Sequence, residues 1–559
     1  MNTPAATSTA QNEQIKTLEA ALCIVTKERD NLRAERDSLR ASHERLRLEL
    51  ELMKHRIFVA KAERVDTKQL ELEFAGKLAE LNKVSNELAE GLAENGDGPK
   101  DPKKKRKPSG RRDLSKAVLE EDRIELKDPA LEEQVKNGEA EALGFEESYK
   151  IVYKRGGMRR LVLARMKYRT NDELGELVIK TVSMPKEFMP RSFATPSLLA
   201  HVVTEKICDG LPLHRMEDRF ARDGFELDRG TMCRWLEEAG ATLGATVIAA
   251  ARKHAMSTAF CIATDATGIL VQPEPSADKT RQPCRRAHYF VLVVDKDHIF
   301  FEYTPKETSE VVAEMFKDFS GFVQADAKSV YNVLFAKQKN KPPDNDDKPK
   351  RHELACWSHG RRGFWEAATQ KNAVGREGLY RISRIFAIDE QCRGVKSPVE
   401  IKRLRDAFLR PHIEAFFVWA ADQYELVRDQ RGTIRSALGY ALRHQEALTR
   451  VLDDGRFILE NNRSERALRK IAVGRNAWLF VGSDEHGEAT GHLFSMIASA
   501  RLHGLDPERY LRDIFRVLAY WPSDRHLELA PKFWAATRSR LDAGELDVEV
   551  GVITVPPLH

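Results

Sequence analysis

Two apolar runs in this chain lead into an acid, Phe260-Cys-Ile-Ala-Thr-Asp265 and Gly321-Phe-Val-Gln-Ala-Asp326. A third carboxylate, Glu465, stands in Leu459–Gly482, where Arg463, Arg466, Arg469, Lys470 and Arg475 crowd about it. Carboxylates from two strands and a late helix can hold two divalent cations. Such a pair deprotonates an attacking water or 3′ hydroxyl and offsets charge on the scissile phosphate during in-line displacement. Aspartate oxygens suit Mg²⁺, with Mn²⁺ as a substitute. The arginines would hold backbone phosphates on either side. A plainer role competes at Glu465, because Asn462 as N-cap with Glu465 at N3 is a capping-box variant that needs no ligand. Cap and ligand are compatible, since a fixed helix start fixes where Glu465 points. The acids Asp295, Asp297, Asp344, Asp346, Asp347, Asp453, Asp454 and Asp484 fall in polar loops and read as solvated surface.

The elements around these acids follow a definite order. Phe260–Asp265, continued by Gly268–Val271, is a first strand; Tyr289–Val294 and His298–Tyr303 are the next two. A helix over Ser309–Phe319 leads into the strand ending at Asp326. This is the order of a ribonuclease H-like core, in which the first and fourth strands are neighbours and Asp265 and Asp326 reach one metal pair. A last strand from Leu354 enters an arginine-bearing helix by Arg362, and residues 375–452 read as helical. His352, Cys356 and His359 lack an identifiable fourth ligand, so no zinc is expected. Further helices cover Gly491–Leu502 and a segment opened by Asp506-Pro507, an acid cap with Pro at N1.

Towards the N-terminus, Leu18, Val25, Leu32, Leu39, Leu46 and Met53 recur every seven residues, which predicts a coiled coil and a homo-oligomer. The run Lys100–Arg112 reads as a flexible linker that touches phosphates, although such a cluster also serves as a nuclear-import signal. Tyr149–Tyr153 and Arg160–Ala164 flank a Gly156-Gly157 turn and predict a hairpin, with a further strand over Leu177–Ile179. Leu211–Phe220 and Asp228–Leu236 form a helix pair around Gly224. It is either a helix-turn-helix reading DNA through Arg229, Thr231 and Arg234, or an ordinary pair of packed helices.

The chain of 559 residues exceeds one ordinary domain. Its net charge is only +5, but the basic stretches are local, which points to a polyanion, nucleic acid before membrane. Seven cysteines are scattered without a CxxC pair, which fits a reducing cytosol. No apolar signal region or membrane-length apolar run is present.

Many of these motifs, in this order, resemble a DDE transposase of the insertion-sequence sixty-six (IS66-type) family. The likeness runs through Arg56-Ile-Phe58 with Glu63-Arg64, Ser197–His201 with Leu211–Arg215, and Thr264-Asp265-Ala-Thr267. It continues through Gln324-Ala-Asp326 with Tyr331, Cys356–His359 with Arg361-Arg362, Asn461–Arg466 with Ala467-Leu-Arg469, and Gly474–Phe480 followed by Gly482-Ser483. The resemblance implies a catalytic and metal-binding triad of Asp265, Asp326 and Glu465, with His359, Arg361, Arg362, Arg466, Arg469, Arg475, Arg229 and Arg234 as DNA contacts. It implies double-stranded DNA partners (transposon terminal repeats and target), accessory proteins encoded by the same element, and a cytoplasmic, nucleoid-associated place in a prokaryotic cell. Members commonly carry a cysteine-rich zinc module before the helix pair; no cysteine lies between 23 and 208 here, so a zinc-less version is expected. The expected fold is multidomain, α plus α/β. In order, it comprises a coiled coil (11–57), a helical segment and basic linker (58–112), a small β-rich module with the hairpin (113–190) and the helix-turn-helix-like segment (191–245). The ribonuclease H-like core (246–362) is then interrupted by an α-helical insertion (363–455), before the last catalytic helix (456–503) and a C-terminal helical element (504–559). A catalytically silent DNA-binding derivative and a structure-specific nuclease on the same fold are the alternatives.

Overall fold

The computed structural model describes residues 45–53, 77, 120–154, 157–171, 177–190, 192–273, 282–326, 328–335 and 350–558. Most of the heptad row and the basic run lie outside the described residues. Within the row, residues 45–53 are helical, and Leu50, Leu52 and Met53 are buried. The chain divides into two compact units, one of residues 106–356 with 460–559, the other of 1–105 with 357–459. No helix among the described residues is long and apolar enough to cross a membrane.

The larger unit holds two sheets. In the first, β3 (Gly157–Asn171) is flanked by β1 (Glu120–Leu126) and β2 (Glu141–Lys154), and also pairs with β4 (Leu177–Thr181). The expected hairpin is present, with Tyr153 opposite Met158, and it is longer than its apolar run because charged residues continue both strands. Leu161, Val162, Leu163 and Ala164 are all buried, as suits a strand with neighbours on both sides.

The second sheet has the order β7-β6-β5-β8-β9. Its strands are β5 (Cys261–Val271), β6 (Arg285–Val294), β7 (His298–Thr304), β8 (Gly321–Ala325) and β9 (Arg351–Ala355). The β5–β6–β7 pairs are antiparallel, and β8 joins β5 in parallel, with β9 parallel beyond it. The unbroken apolar run Tyr289–Val294 makes β6 a strand buried on both faces.

The helix pair is Leu213–Arg222 and Arg229–Leu243, and the second helix continues through a π turn to Thr258, well past the short helix expected. Met232, Trp235, Leu236, Ala239 and Leu243 bury one face of it. That face meets the helix Asp484–Leu502, which is itself pressed onto β7. A Cβ on Gly240 would stand 2.2 Å from the Ala489 carbonyl, and one on Gly491 would stand 2.8 Å from that of Phe301. Glycine is therefore required at both approaches. The helix pair and the second sheet thus share one continuous core, which links Leu198, Trp235, Val291, Ile497 and Trp534.

The smaller unit is helical from Trp357 to Thr449. Trp357, Phe364 and Phe416 form its aromatic centre. Arg405 is fully buried there and donates to Asp389 Oδ1 (2.7 Å) and to the carbonyls of Val451, Asp454 and Phe457. One guanidinium thus ties two helices to the turn that closes the insertion.

Replacing Arg405 by Met leaves Asp389 buried with only Arg393 at 4.0 Å. The loss of one partner from a buried pair is expected to cost about 3–5 kcal/mol, read as a lower denaturant midpoint for Trp357 fluorescence; a change below about 1 kcal/mol would contradict the clamp. A pH effect follows from the larger unit. Burial holds the rings of His298 and His486 at about 4, below the ordinary 6.5. The unfolded chain therefore binds more protons in that window, so stability is complete above pH 6.5 and falls as pH drops towards 4. The expected loss is about 3 kcal/mol per ring, and His298→Gln should remove one share of the slope in denaturation curves taken across that range.

Candidate active site

The β5–β8 register sets Cys261 opposite Phe322, Ile262 opposite Val323 and Ala263 opposite Gln324. Two residues further along each strand stand Asp265 and Asp326. Asp265 is still within β5, whereas Asp326 is the first residue past the end of β8; the charges of both are felt at Lys328 and Tyr331. β8 ends at Ala325 whereas β5 runs on to Val271. The acids therefore mark the point where β5 loses its parallel neighbour.

Asp326 is mostly buried, and its Oδ1 has no hydrogen-bond partner among the described residues. Its Oδ2 lies 3.6 Å from Lys328 Nζ, which also reaches Glu307 Oε1 at 3.2 Å. Burial pulls the Lys328 ammonium down, but Asp326, Glu307 and Asp265 outweigh it, and its pKa is raised. Burial raises Tyr331 too, and the same three carboxylates add to the effect. Asp265 Oδ1 accepts from the Ala266 N–H at 2.7 Å. A buried carboxylate oxygen without a partner, near a second carboxylate, fits a hard divalent cation. Glu465 does not complete the set, since no three Asp, Glu, His or Cys groups among the described residues are arranged to share a metal.

The helix Asn462–Trp478 brings Glu465 to this part of the sheet by a route different from the expected cap. Its N-cap residue is Asn461, not Asn462, and no side chain caps it. Asn461 is 1% exposed and turns inward, donating Nδ2 to the Thr264 carbonyl at 2.7 Å while its N–H donates to Cys356 Sγ at 3.2 Å. Its Oδ1, the atom that would accept from a helix N–H, is buried without a hydrogen-bond partner among the described residues, so the side chain serves the strand and not the helix start. Glu465 is therefore N4, one turn along from the residue that grips β5 beside Asp265. It is exposed, with no ion pair among the described residues.

The arginines divide by role. Arg466 and Arg469 are exposed. Arg475 is not a free cation. It donates to the Gly268 carbonyl (2.5 Å) and Thr267 Oγ1 (3.2 Å), fastening the far end of the helix to β5. Arg463 donates to the Asp295 carbonyl, and Lys470 to that of Cys208. Two acids read as solvated surface are structural as well. Asp295 accepts from the N–H groups of Phe260 and Cys261, and Asp484 pairs with Arg285 and Tyr303. Arg229 and Arg234 are exposed on the face of their helix opposite the core, behind the Asp228 cap. His359, Arg361 and Arg362 belong to the smaller unit, where Arg361 lies over Trp365. Lys328, Glu307 and Asn461 had no assigned role from sequence. A lysine two residues past a candidate ligand was the available signal for Lys328; nothing in the sequence around Glu307 sets it apart.

Residues 191–489, more than half of the chain, match the model described as Transposase IS66 family, a DDE-type transposase domain of the class that generally uses divalent metal ions. Residues 495–531 match the IS66 C-terminal element, and residues 45–124 a region described as Transposase C of IS166 homeodomain. The chain belongs to the IS66 transposase family. It is 26% identical over 385 residues to the uncharacterized protein y4qI of Sinorhizobium fredii, covering 67% of this chain and 68% of that one. The uncharacterized protein y4hP of the same organism is also 26% identical over 385 residues, covering 64% of this chain and 65% of its own length.

Asn461→Leu keeps the volume but strands the Thr264 carbonyl. It should destabilise the larger unit by about 1–3 kcal/mol in denaturant titrations, and Asn461→Ala should do so by a similar amount. A variant as stable as the parent would show that the tether does not hold the helix.

Proposed function

We propose that this protein is a DNA transposase with a ribonuclease H-like core. It binds the terminal inverted repeats of its element, cuts to expose 3′ hydroxyls, and joins them to target DNA by direct transesterification. The observation that supports this reading is that Asp265 and Asp326 both act on Lys328 and Tyr331 where β5 and β8 part, with the Oδ1 of Asp326 buried and without a hydrogen-bond partner among the described residues. Mg²⁺ or Mn²⁺ held by Asp265 and Asp326, with Glu465 completing a second position, would activate the attacking oxygen and offset charge on the phosphate.

The chain's own residues do the positioning. Asn461 fixes the start of the Glu465 helix against Thr264. Lys328 holds Asp326 and Glu307 together and lowers the local excess of negative charge. Arg466 and Arg469, exposed beside Glu465, bind the flanking phosphates. Arg229 and Arg234 contact the terminal repeat, their helix held firm by its burial against the core. The heptad row pairs two subunits so that each DNA end meets one site, and elements of this kind act on the nucleoid of a prokaryotic cytoplasm. A second reading, a catalytically silent DNA-binding derivative, is favoured by the lack of a closed three-acid cluster among the described residues.

A strand-transfer assay with the element's ends and Mg²⁺ separates the readings. Asp326→Asn and Glu465→Gln should each lower cleavage and joining by about 1000-fold, equivalent to several kcal/mol of lost charge stabilisation, with end binding retained. Equal end binding by wild type and variants, with no joining by any, would favour the silent protein. Hydrolysis of branched DNA without joining would favour a nuclease.

A further inference from the structure

The Glu465 helix carries a second feature at its other end. Its solvent face reads Glu465, Arg466, Arg469, Val473 and Asn476, all exposed and spaced at helical intervals. The helix then stops at Leu479, whose φ is 67° and ψ −51°. The Phe480 N–H donates to the Trp478 carbonyl at 2.8 Å, which closes a γ-turn of the positive-φ kind, the rare and strained form. A leucine in that conformation persists only where its surroundings impose it. They do so here from both sides. Leu479 N–H bonds back to the Arg475 carbonyl, while Val481 exchanges hydrogen bonds with Leu270 and Gln272 at the end of β5. Arg475 braces the same corner through Gly268 and Thr267.

The consequence is an apolar tip that the fold holds out in solvent. Leu479 is 61% exposed and Phe480 41%, with Val473 at 64% nearly two turns back. An apolar tip exposed among the described residues, on the same helix as the exposed Arg466 and Arg469, has a charge-complementary occupant: the arginines suit a phosphate backbone and the tip suits the faces of the bases. We propose that Leu479 and Phe480 form a wedge that unstacks one base step of duplex DNA beside the cut, with Phe480 stacking on the exposed base. This rests on the transposase reading above and extends it to a residue-level DNA contact. The helix sets the spacing. Fourteen residues separate Glu465 from Leu479, about 21 Å of helix rise, or about six base steps of duplex. Arg466 and Arg469 lie at the Glu465 end of that interval.

The test uses the full-length chain and end duplexes carrying 2-aminopurine singly at successive positions beside the cleaved phosphate. Wild type should raise the fluorescence several-fold at one position about six base pairs from the cut. Phe480→Ala should return that signal to the duplex baseline and weaken binding about ten-fold. Phe480→Trp should keep both, which also guards against a folding defect. Leu479→Gly relieves the strained φ while removing the apolar side chain, and should lower the signal without loss of thermal stability. Arg469→Ala should weaken binding and flatten its salt dependence by about one contact, leaving the position of the fluorescent base unchanged. The wedge is overturned if Phe480→Ala matches wild type in both fluorescence profile and affinity, or if wild type cuts ends with no position brightened; in those cases the transposase reading stands. Failure of wild type to bind or cut any end would overturn both.

Discussion

The bond from the Asn461 amide to the Thr264 carbonyl is the contact on which the site depends. It joins two parts of the chain 197 residues apart and sits one residue before Asp265. The same residue's N–H bonds to Cys356 Sγ, so the points where the chain leaves and rejoins the larger unit are stapled together. An inserted helical unit of this length imposes little extra closure entropy once its two ends are fixed side by side. What the staple secures is direction, since it starts the helix that carries Glu465 at a defined point on β5.

The far end of that helix is held by a second set of bonds, from Arg475 to β5 and from Val481 to Leu270. A helix pinned at both ends along one strand is a rigid bar, and its exposed face is where charge is displayed. The buried residues Ser464, Leu468, Ile471 and Gly474 fasten it, with Ala467 packed beside them, while Glu465, Arg466, Arg469 and Val473 are exposed. Each cation in the opening stretch therefore has one of two fates. Arg463, Lys470 and Arg475 are used on carbonyls of distant segments, whereas Arg466 donates to the Asn462 carbonyl of its own helix at 3.2 Å and, like Arg469, stays exposed.

The acidic corner is balanced differently. Lys328 brings one positive charge to Asp326 and Glu307, with Asp265 near enough to be felt. The buried Oδ1 of Asp326 remains without a hydrogen-bond partner among the described residues. A site with surplus carboxylate oxygen is suited to receive a cation. The exposed position of Glu465 leaves it outside that corner, where a bound polyanion and its counterions would alter the balance of charge around it.

Much of this was legible in sequence. Alternation and apolar runs located β5, β6, β7 and β8, and the positions of Asp265 and Asp326 on neighbouring strands followed from their order, because short-range periodicity is a property of the backbone itself. The density of arginine around Glu465 was equally visible. Tertiary structure alone decided which cations were committed and which were free, because that depends on where unpaired carbonyls of distant segments come to lie. It turned Asn461 from an expected neighbour of a cap into a cross-chain tether, and it lengthened a short helix at Asp228 into one seated on the core through Gly240. It also bent Leu479 into a strained turn. No local preference favours that conformation in a leucine; the strand edge and the helix end, meeting there, impose it.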